Sequence, residues 1–269
     1  MMHRSNPGSP LRADARRAVD EAFRALGDPR ARPNLRWLSR LLEVAPSELS
    51  ETLAELHDLV PAEQEIRRRH RAAGRPHYAQ FRAPFELYAL VRWLRPDHVI
   101  ETGVSSGVSS AHFLLGLQKN RHGVLHSIDL PTRQRGRSFS ERDSPVALPP
   151  GATSGWAIPD RLREGWDLRI GPSEAILPRL VERLGSVGIF LHDSRHTPGH
   201  LTFELSTVYP KLARSAVVLA DNTVWTGRAF PRFAAAQGTR LVRRGRTDLV
   251  GLRLPPPTLA APAAVPPEL

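Results

Sequence analysis

The stretch IFLHDSRHTPGH, residues 189 to 200, leaves an apolar run and delivers His192, Asp193, Arg195, His196 and His200 in close succession. An imidazole with an ordinary pKa near ~6.5 can take or give a proton, so His196 is the candidate general base. Arg195 stays protonated at neutral pH and can orient a group or stabilise an oxyanion instead. The bland alternative is that His196 and His200, four apart, cap and line the next helix. A second word, LADNTVW, ends another apolar run in Asp221 and Asn222. Two oxygen donors there suit a hard divalent cation, and the same pair is also ordinary turn chemistry after a strand.

A third word is ETGVSSGVSS, carrying Glu101, Gly103, Ser105, Gly107 and Ser109. Glycines let backbone approach a ligand, and the N-terminus of a following helix favours a carboxylate or phosphate. The G-x-x-x-G spacing misses the dinucleotide fingerprint, which disfavours a nicotinamide cofactor. Glu101 suits a cationic group better than a pyrophosphate. A ligand with an amino acid end and an adenosine end fits both facts. Asp129 closes the next apolar run, where a carboxylate can accept from ribose hydroxyls or simply cap a turn.

These words need elements that bring them to one edge. From residue 84 the chain alternates helical and strand patterns, the mark of a parallel sheet with crossover helices. Expected strands are HVIETGV, GVLHSIDL, WDLRIG, VGIFLHD and SAVVLADN, followed by a hairpin of TRLVRRG and DLVGLRL. In such a sheet ligands sit beyond the carboxyl ends of the strands, where strand order reverses. Residues 11–78 read as a helical N-terminal cap that covers the acceptor site or mediates a homodimer, and residues 79–255 as the ligand-binding domain. Residues 1–10 and the Pro-rich 256–269 read as loose tails.

Composition narrows the classes. The chain has no cysteine, which removes disulfides, zinc-thiolate sites and cysteine nucleophiles together. No apolar run approaches the ~18 residues of a membrane span and the start lacks a signal-peptide pattern, so the expectation is a cytoplasmic protein without a membrane partner. The net charge of +11 is spread along the chain and nearly all arginine, with Lys119 and Lys211 the lysines. Aromatics make up only 6%, leaving few stacking platforms, so a nucleic-acid partner is disfavoured. The insertion after Asp129 holds Arg133, Arg135, Arg137 and Arg142 against Glu141 and Asp143, a lid or anion contact beside the ligand or a solvated loop.

Taken in order, VIETGVSSGVSS, HSIDL, IGPSEAILPRL, IFLHDSRH and LADNTVW resemble the motifs of class I S-adenosylmethionine-dependent methyltransferases, in the catechol and caffeoyl-CoA O-methyltransferase-like branch. The resemblance spans roughly residues 80 to 255 and implies a Rossmann-like α/β fold with a mostly parallel seven-stranded sheet and a terminal antiparallel strand. It implies S-adenosyl-L-methionine as cofactor, with Glu101, Gly103, Ser105, Gly107 and Ser109 around its methionine part and Asp129 on its ribose. Ser173 and Glu174 would border its adenine, and Asp193 would also belong to the cofactor-binding set; PSEA is equally a helix cap with an acidic first turn. Mg²⁺ or Mn²⁺ would be held by Asp221, Asn222 and one ligand from the preceding strand. The branch has an Asp two places after the Phe of that strand, where this chain has His192 and the Asp follows at Asp193. Alternation points the two in opposite directions, so either one is the ligand or the metal has been lost. The implied reaction is methyl transfer to a hydroxyl of a small-molecule acceptor. The rivals are an RNA or protein methyltransferase that uses the basic surface, and a non-catalytic cofactor-binding scaffold.

Overall fold

The computed structural model describes residues 10–27, 33–73, 84–131, 148–245 and 248–255. The expected tails, apart from Pro10, the boundary at residues 78 and 79, and the arginine cluster of the insertion lie outside these residues.

Four helices come first: α1 Ala13–Leu26, α2 Leu35–Leu42, α3 Ser50–Ala54 and α4 Val60–Ala72, with 3-10 turns at Pro46–Leu49 and Glu55–Leu59. Asn34 starts α2 by accepting from the Trp37 amide, as a short polar side chain at a helix start should. Next come α5 Pro84–Leu94, β1 His98–Thr102, α6 Val108–Asn120, β2 Val124–Asp129, β3 Trp166–Ile170, α7 Ser173–Arg183, β4 Val187–His192, α8 Pro198–Val208 and β5 Leu212–Ala220. The chain closes with α9 Ala229–Ala236, β6 Val242–Arg243 and β7 Val250–Arg253.

The strands form one sheet in the order β3-β2-β1-β4-β5-β7-β6. β1 to β5 run parallel, β7 is antiparallel to β5, and β6 is antiparallel to β7, so the expected sheet and hairpin are both present. Strand order reverses between β1 and β4, the two strands whose ends carry the glycine loop and the histidine-rich stretch.

Both sheet faces are covered, which is why the central strands read as continuous apolar runs. Val99, Leu125, Ile189, Leu191 and Val217 face α5, α6 and the N-terminal helices. Ile100, Ile128, Phe190 and Val218 face α7, α8 and α9. The N-terminal helices share the first of these apolar clusters with the sheet and form no core of their own. The Trp37 indole N–H donates to the Val242 carbonyl at 2.9 Å, tying α2 to the last hairpin. α9 had no counterpart in the sequence reading: AFPRFAAA is short, with a proline near its start, and it is helical because Phe230 and Ala234 bury against the second cluster.

Candidate active site

A cavity opens at the carboxyl ends of β1, β2, β3 and β4, at the switch point. Of the residues expected at the site, Gly103, Ser105, Asp129, Ser173, Glu174, Asp193, Arg195, His196 and Asn222 line it. Val104, Leu130 and His200 line it as well, and sequence reasoning assigned them nothing there. Glu101, Gly107, Ser109, His192 and Asp221 are not among the lining residues. Nor is any described residue before Gly103, so among the described residues the N-terminal helices supply none of the wall.

The glycine loop is wedged between two strand ends. The Gly103 amide donates to the Ile128 carbonyl at 2.8 Å, and the Asp193 amide donates to the Thr102 carbonyl at 2.8 Å. Gly103 has φ +89°, and a Cβ there would stand 2.0 Å from the Asp193 carbonyl oxygen. Only glycine fits so close an approach in that conformation. Ser105 follows with φ +50° and its hydroxyl buried without a partner at the cavity wall.

Glu101 turns under this loop and not into the cavity. Its carboxylate accepts from the hydroxyls of Ser109 at 3.1 Å and Ser110 at 2.7 Å, tying β1 to the first turn of α6. Burial pushes its carboxyl up to about 8, with the neighbouring Asp129 adding to the rise. Asp129 accepts from the Val104 amide at 3.1 Å and from the Ser154 hydroxyl, so its carboxylate edge is fixed at the cavity wall.

His192 and Asp193 have different neighbours. His192, fully buried at the end of β4, sends Nδ1 to Glu204 on α8 at 2.7 Å. Asp193 lines the cavity, and burial followed by repulsion from Asp221, Glu101 and Asp129 raises its carboxyl well above the usual range. Sequence alternation left either neighbour as the ligand; in the structure the acidic one occupies the cavity wall.

His196 stands beside it. Its Nε2 lies 2.9 Å from the Asn222 amide nitrogen, and Trp225 packs 5.7 Å from its ring. Burial, aided by the nearby His192, lowers its pKa to about 4, so the imidazole is neutral at physiological pH. Arg195 reaches Glu174 at 3.2 Å, both half exposed, and this pair is part of the rim. Trp156 and Trp166 pack against the apolar core, while Trp225 remains partly exposed at the lip.

Beneath the lip lies a group the sequence reading missed. Glu204, fully buried, accepts from Thr102 at 2.8 Å, His192 at 2.7 Å, Ser194 at 3.0 Å and His200 at 2.9 Å. Burial alone would raise its carboxyl, but the hydrogen bonds from His192 and His200 hold it far below the usual range. Burial works against the charge of His200 too, and the Glu204 contact overcomes it and raises that imidazole's pKa. One carboxylate thereby joins β1, β4, the loop after β4 and α8 directly behind Asp193 and His196.

The oxygen donors of Asp193, Asp221 and Asn222 come from adjacent strand ends and fit a hard divalent ion in chemistry. Among the described residues, no three His, Cys, Asp or Glu side chains form a metal-holding group, so the third donor would have to be the Asn222 amide oxygen. His192 is not among the lining residues: its Nδ1 bonds Glu204, and its Nε2 is buried without a hydrogen-bond partner.

No curated protein sequence matches the chain. Solved structures share its fold: an inferred O-methyltransferase from Klebsiella pneumoniae is 15% identical, with a TM-score of 0.51 over 73% of this chain and 90% of that one. The cofactor-bound Rv0187 from MTB is also 15% identical, with a TM-score of 0.50 over 73% and 91%. TomG of Streptomyces achromogenes, an O-methyltransferase of tomaymycin synthesis solved with SAM, is 18% identical, with a TM-score of 0.50 over 73% and 90%. The family model described as a methyltransferase domain matches residues 100–223, the span from β1 through the turn after β5 that builds this cavity. Residues 100–223, within the seven-stranded sheet that contains them, are thus similar to a methyltransferase domain.

Proposed function

We propose that the chain is an O-methyltransferase that moves a methyl group from S-adenosylmethionine to a hydroxyl of a small molecule. The observation that carries this reading is a single cavity with the glycine loop and Asp129 on one side and Asp193, His196 and Asn222 on the other. Gly103 and Ser105 would receive the methionine part, Asp129 the ribose, and Ser173 with Glu174 the adenine edge. Bound there, S-adenosylmethionine supplies a sulfonium methyl that passes to the acceptor oxygen as that oxygen loses its proton, leaving S-adenosylhomocysteine.

The residues of the far lip do the rest. His196, neutral because it is buried, would accept the hydroxyl proton on Nε2, exchanging its 2.9 Å contact with the Asn222 amide nitrogen for the acceptor oxygen. The Arg195 guanidinium offers charge at the rim to an oxyanion or an anionic acceptor. Trp225, partly exposed with its ring 5.7 Å from that of His196, offers an apolar surface to the acceptor. Asp193, Asp221 and Asn222 would hold a divalent ion, which would lower the pKa of a bound hydroxyl and orient it. Positioning is the main contribution expected of such a site.

The test is transfer of labelled methyl from S-adenosylmethionine to a panel of phenols, catechols and sugar-like alcohols. Label on oxygen is expected, with His196→Asn slowing transfer by about 10²–10⁴-fold. Label that enters only RNA or protein would overturn the small-molecule reading. Label on a small molecule at an unchanged rate in His196→Asn would remove His196 as the base.

A further inference from the structure

The N-terminal helices line none of the cavity, yet the last of them is fastened to the segment that backs the cofactor loop. Residues 154–158 lie along that loop: the Gly155 amide donates to the Ser105 carbonyl at 2.8 Å and the Ala157 amide to the Ser106 carbonyl at 3.0 Å. Ser154 donates to Asp129. The fit is tight, since a Cβ on Gly107 would meet the Ile158 side chain at 2.6 Å and the Gly155 Cα at 2.8 Å. The cavity wall formed by Ser105 and Asp129 is therefore held from behind by a stretch with no regular secondary structure of its own.

That stretch is held in turn by α4. Arg69 donates to the Ile158 carbonyl at 3.2 Å, and His70 packs its ring 4.8 Å from that of Trp156. Glu65, one turn earlier, accepts from Arg69 at 3.1 Å and from Arg161 just beyond the segment. Arg163 closes the other side, donating to the Gly155 carbonyl at 3.0 Å and the Ile158 carbonyl at 3.3 Å. Helix and loop are far apart in sequence, so the contact is a tertiary clamp and not local turn chemistry.

We infer that the last turns of α4 are a clamp on the cofactor loop, with Arg69 and His70 as positioning residues for S-adenosylmethionine through residues 154–158. The proposal rests on the functional reading above for the identity of the ligand. The clamp keeps Ser105 and Asp129 in the binding geometry before the ligand arrives, so the ordering cost is met on folding and not on binding. It gives the helical N-terminus a role at the site without any contact with substrate.

The experiment is titration of the full-length protein with S-adenosylhomocysteine, paired with amide hydrogen exchange of residues 154–158. Arg69→Ala and His70→Ala should each raise Kd by on the order of tenfold and speed exchange in that segment. Arg69→Lys, which keeps the charge and one donor head, should restore most of the loss. Arg92→Ala is the control for general weakening: it removes the Arg92 pair with Glu55 at 2.7 Å, in the same helical layer but away from the segment. It should lower Tm and leave both readouts unchanged. Wild-type affinity and exchange in the Arg69 and His70 variants, or equal effects in Arg92→Ala, would overturn the clamp. A wild type that binds no S-adenosylhomocysteine would instead overturn the functional reading, while the exchange comparison would still decide the clamp.

Discussion

Gly103→Ala is expected to destroy cofactor binding and destabilise the fold together. The new methyl would stand 2.0 Å from the Asp193 carbonyl oxygen and 2.5 Å from its carbonyl carbon, both backbone atoms that no rotamer change can move aside. The φ of +89° adds a conformational penalty for any residue with a Cβ. Overpacking and left-handed strain together cost about 3 kcal/mol. Relief requires the β1 loop to part from the end of β4, which breaks the hydrogen bond from the Asp193 N–H to the Thr102 carbonyl and misplaces both walls of the cavity. A displacement of about 1 Å costs on the order of 100-fold in a positioned site, so S-adenosylhomocysteine binding should fall by at least that factor. Thermal unfolding and calorimetry on the variant measure the two effects, and near-wild-type values in both would show that the loop is not wedged as described.

Glu204→Gln should be strongly destabilising. The carboxylate accepts four hydrogen bonds while fully buried, two of them from histidines. An amide cannot accept on its nitrogen or counter the charge of His200, and removing one partner from a buried charge pair costs about 3–5 kcal/mol. The pH dependence carries the sign. Glu204 has a depressed pKa in the folded state, so its contribution is present above ~4.5 and is lost as pH falls below that. His200 has a raised pKa, so its share is complete below ~6.5 and is lost as pH rises through the folded value. The difference in Tm between wild type and Glu204→Gln should therefore peak between about pH 5 and 6.5 and shrink on both sides. A difference independent of pH would mean that the cluster holds no ion pair.

Much of this layout was readable from the chain because strand ends announce themselves. Apolar runs stop at Thr102, Asp129, His192 and Ala220, followed by Gly103, by Leu130 and Pro131, by Asp193 and by Asp221, and those punctuation points are where the cavity lies. The residues that line the cavity were harder to separate from those that support it. Glu101, Gly107 and Ser109 were expected at the ligand from their place in the loop, yet Glu101 and Ser109 bond each other beneath it and Gly107 abuts Gly155 and Ile158. The His192 and Asp193 choice was illegible for a related reason. Alternation says only that the two diverge, and the partner that captures His192 is Glu204, twelve residues away on a helix whose rotation the pattern does not give. The N-terminal helices were legible as helices. What they pack on was not, because Trp37 meets Val242 and Arg69 meets Ile158 across long sequence separations.

Calorimetric titration of the wild-type protein with S-adenosylhomocysteine, alongside Asp129→Ala, tests the central claim most directly. One binding site per chain is expected, with affinity markedly reduced when the Asp129 carboxylate is removed from the cavity wall. No heat of binding to the wild type, or equal binding to both proteins, would contradict the assignment of this cavity to S-adenosylmethionine.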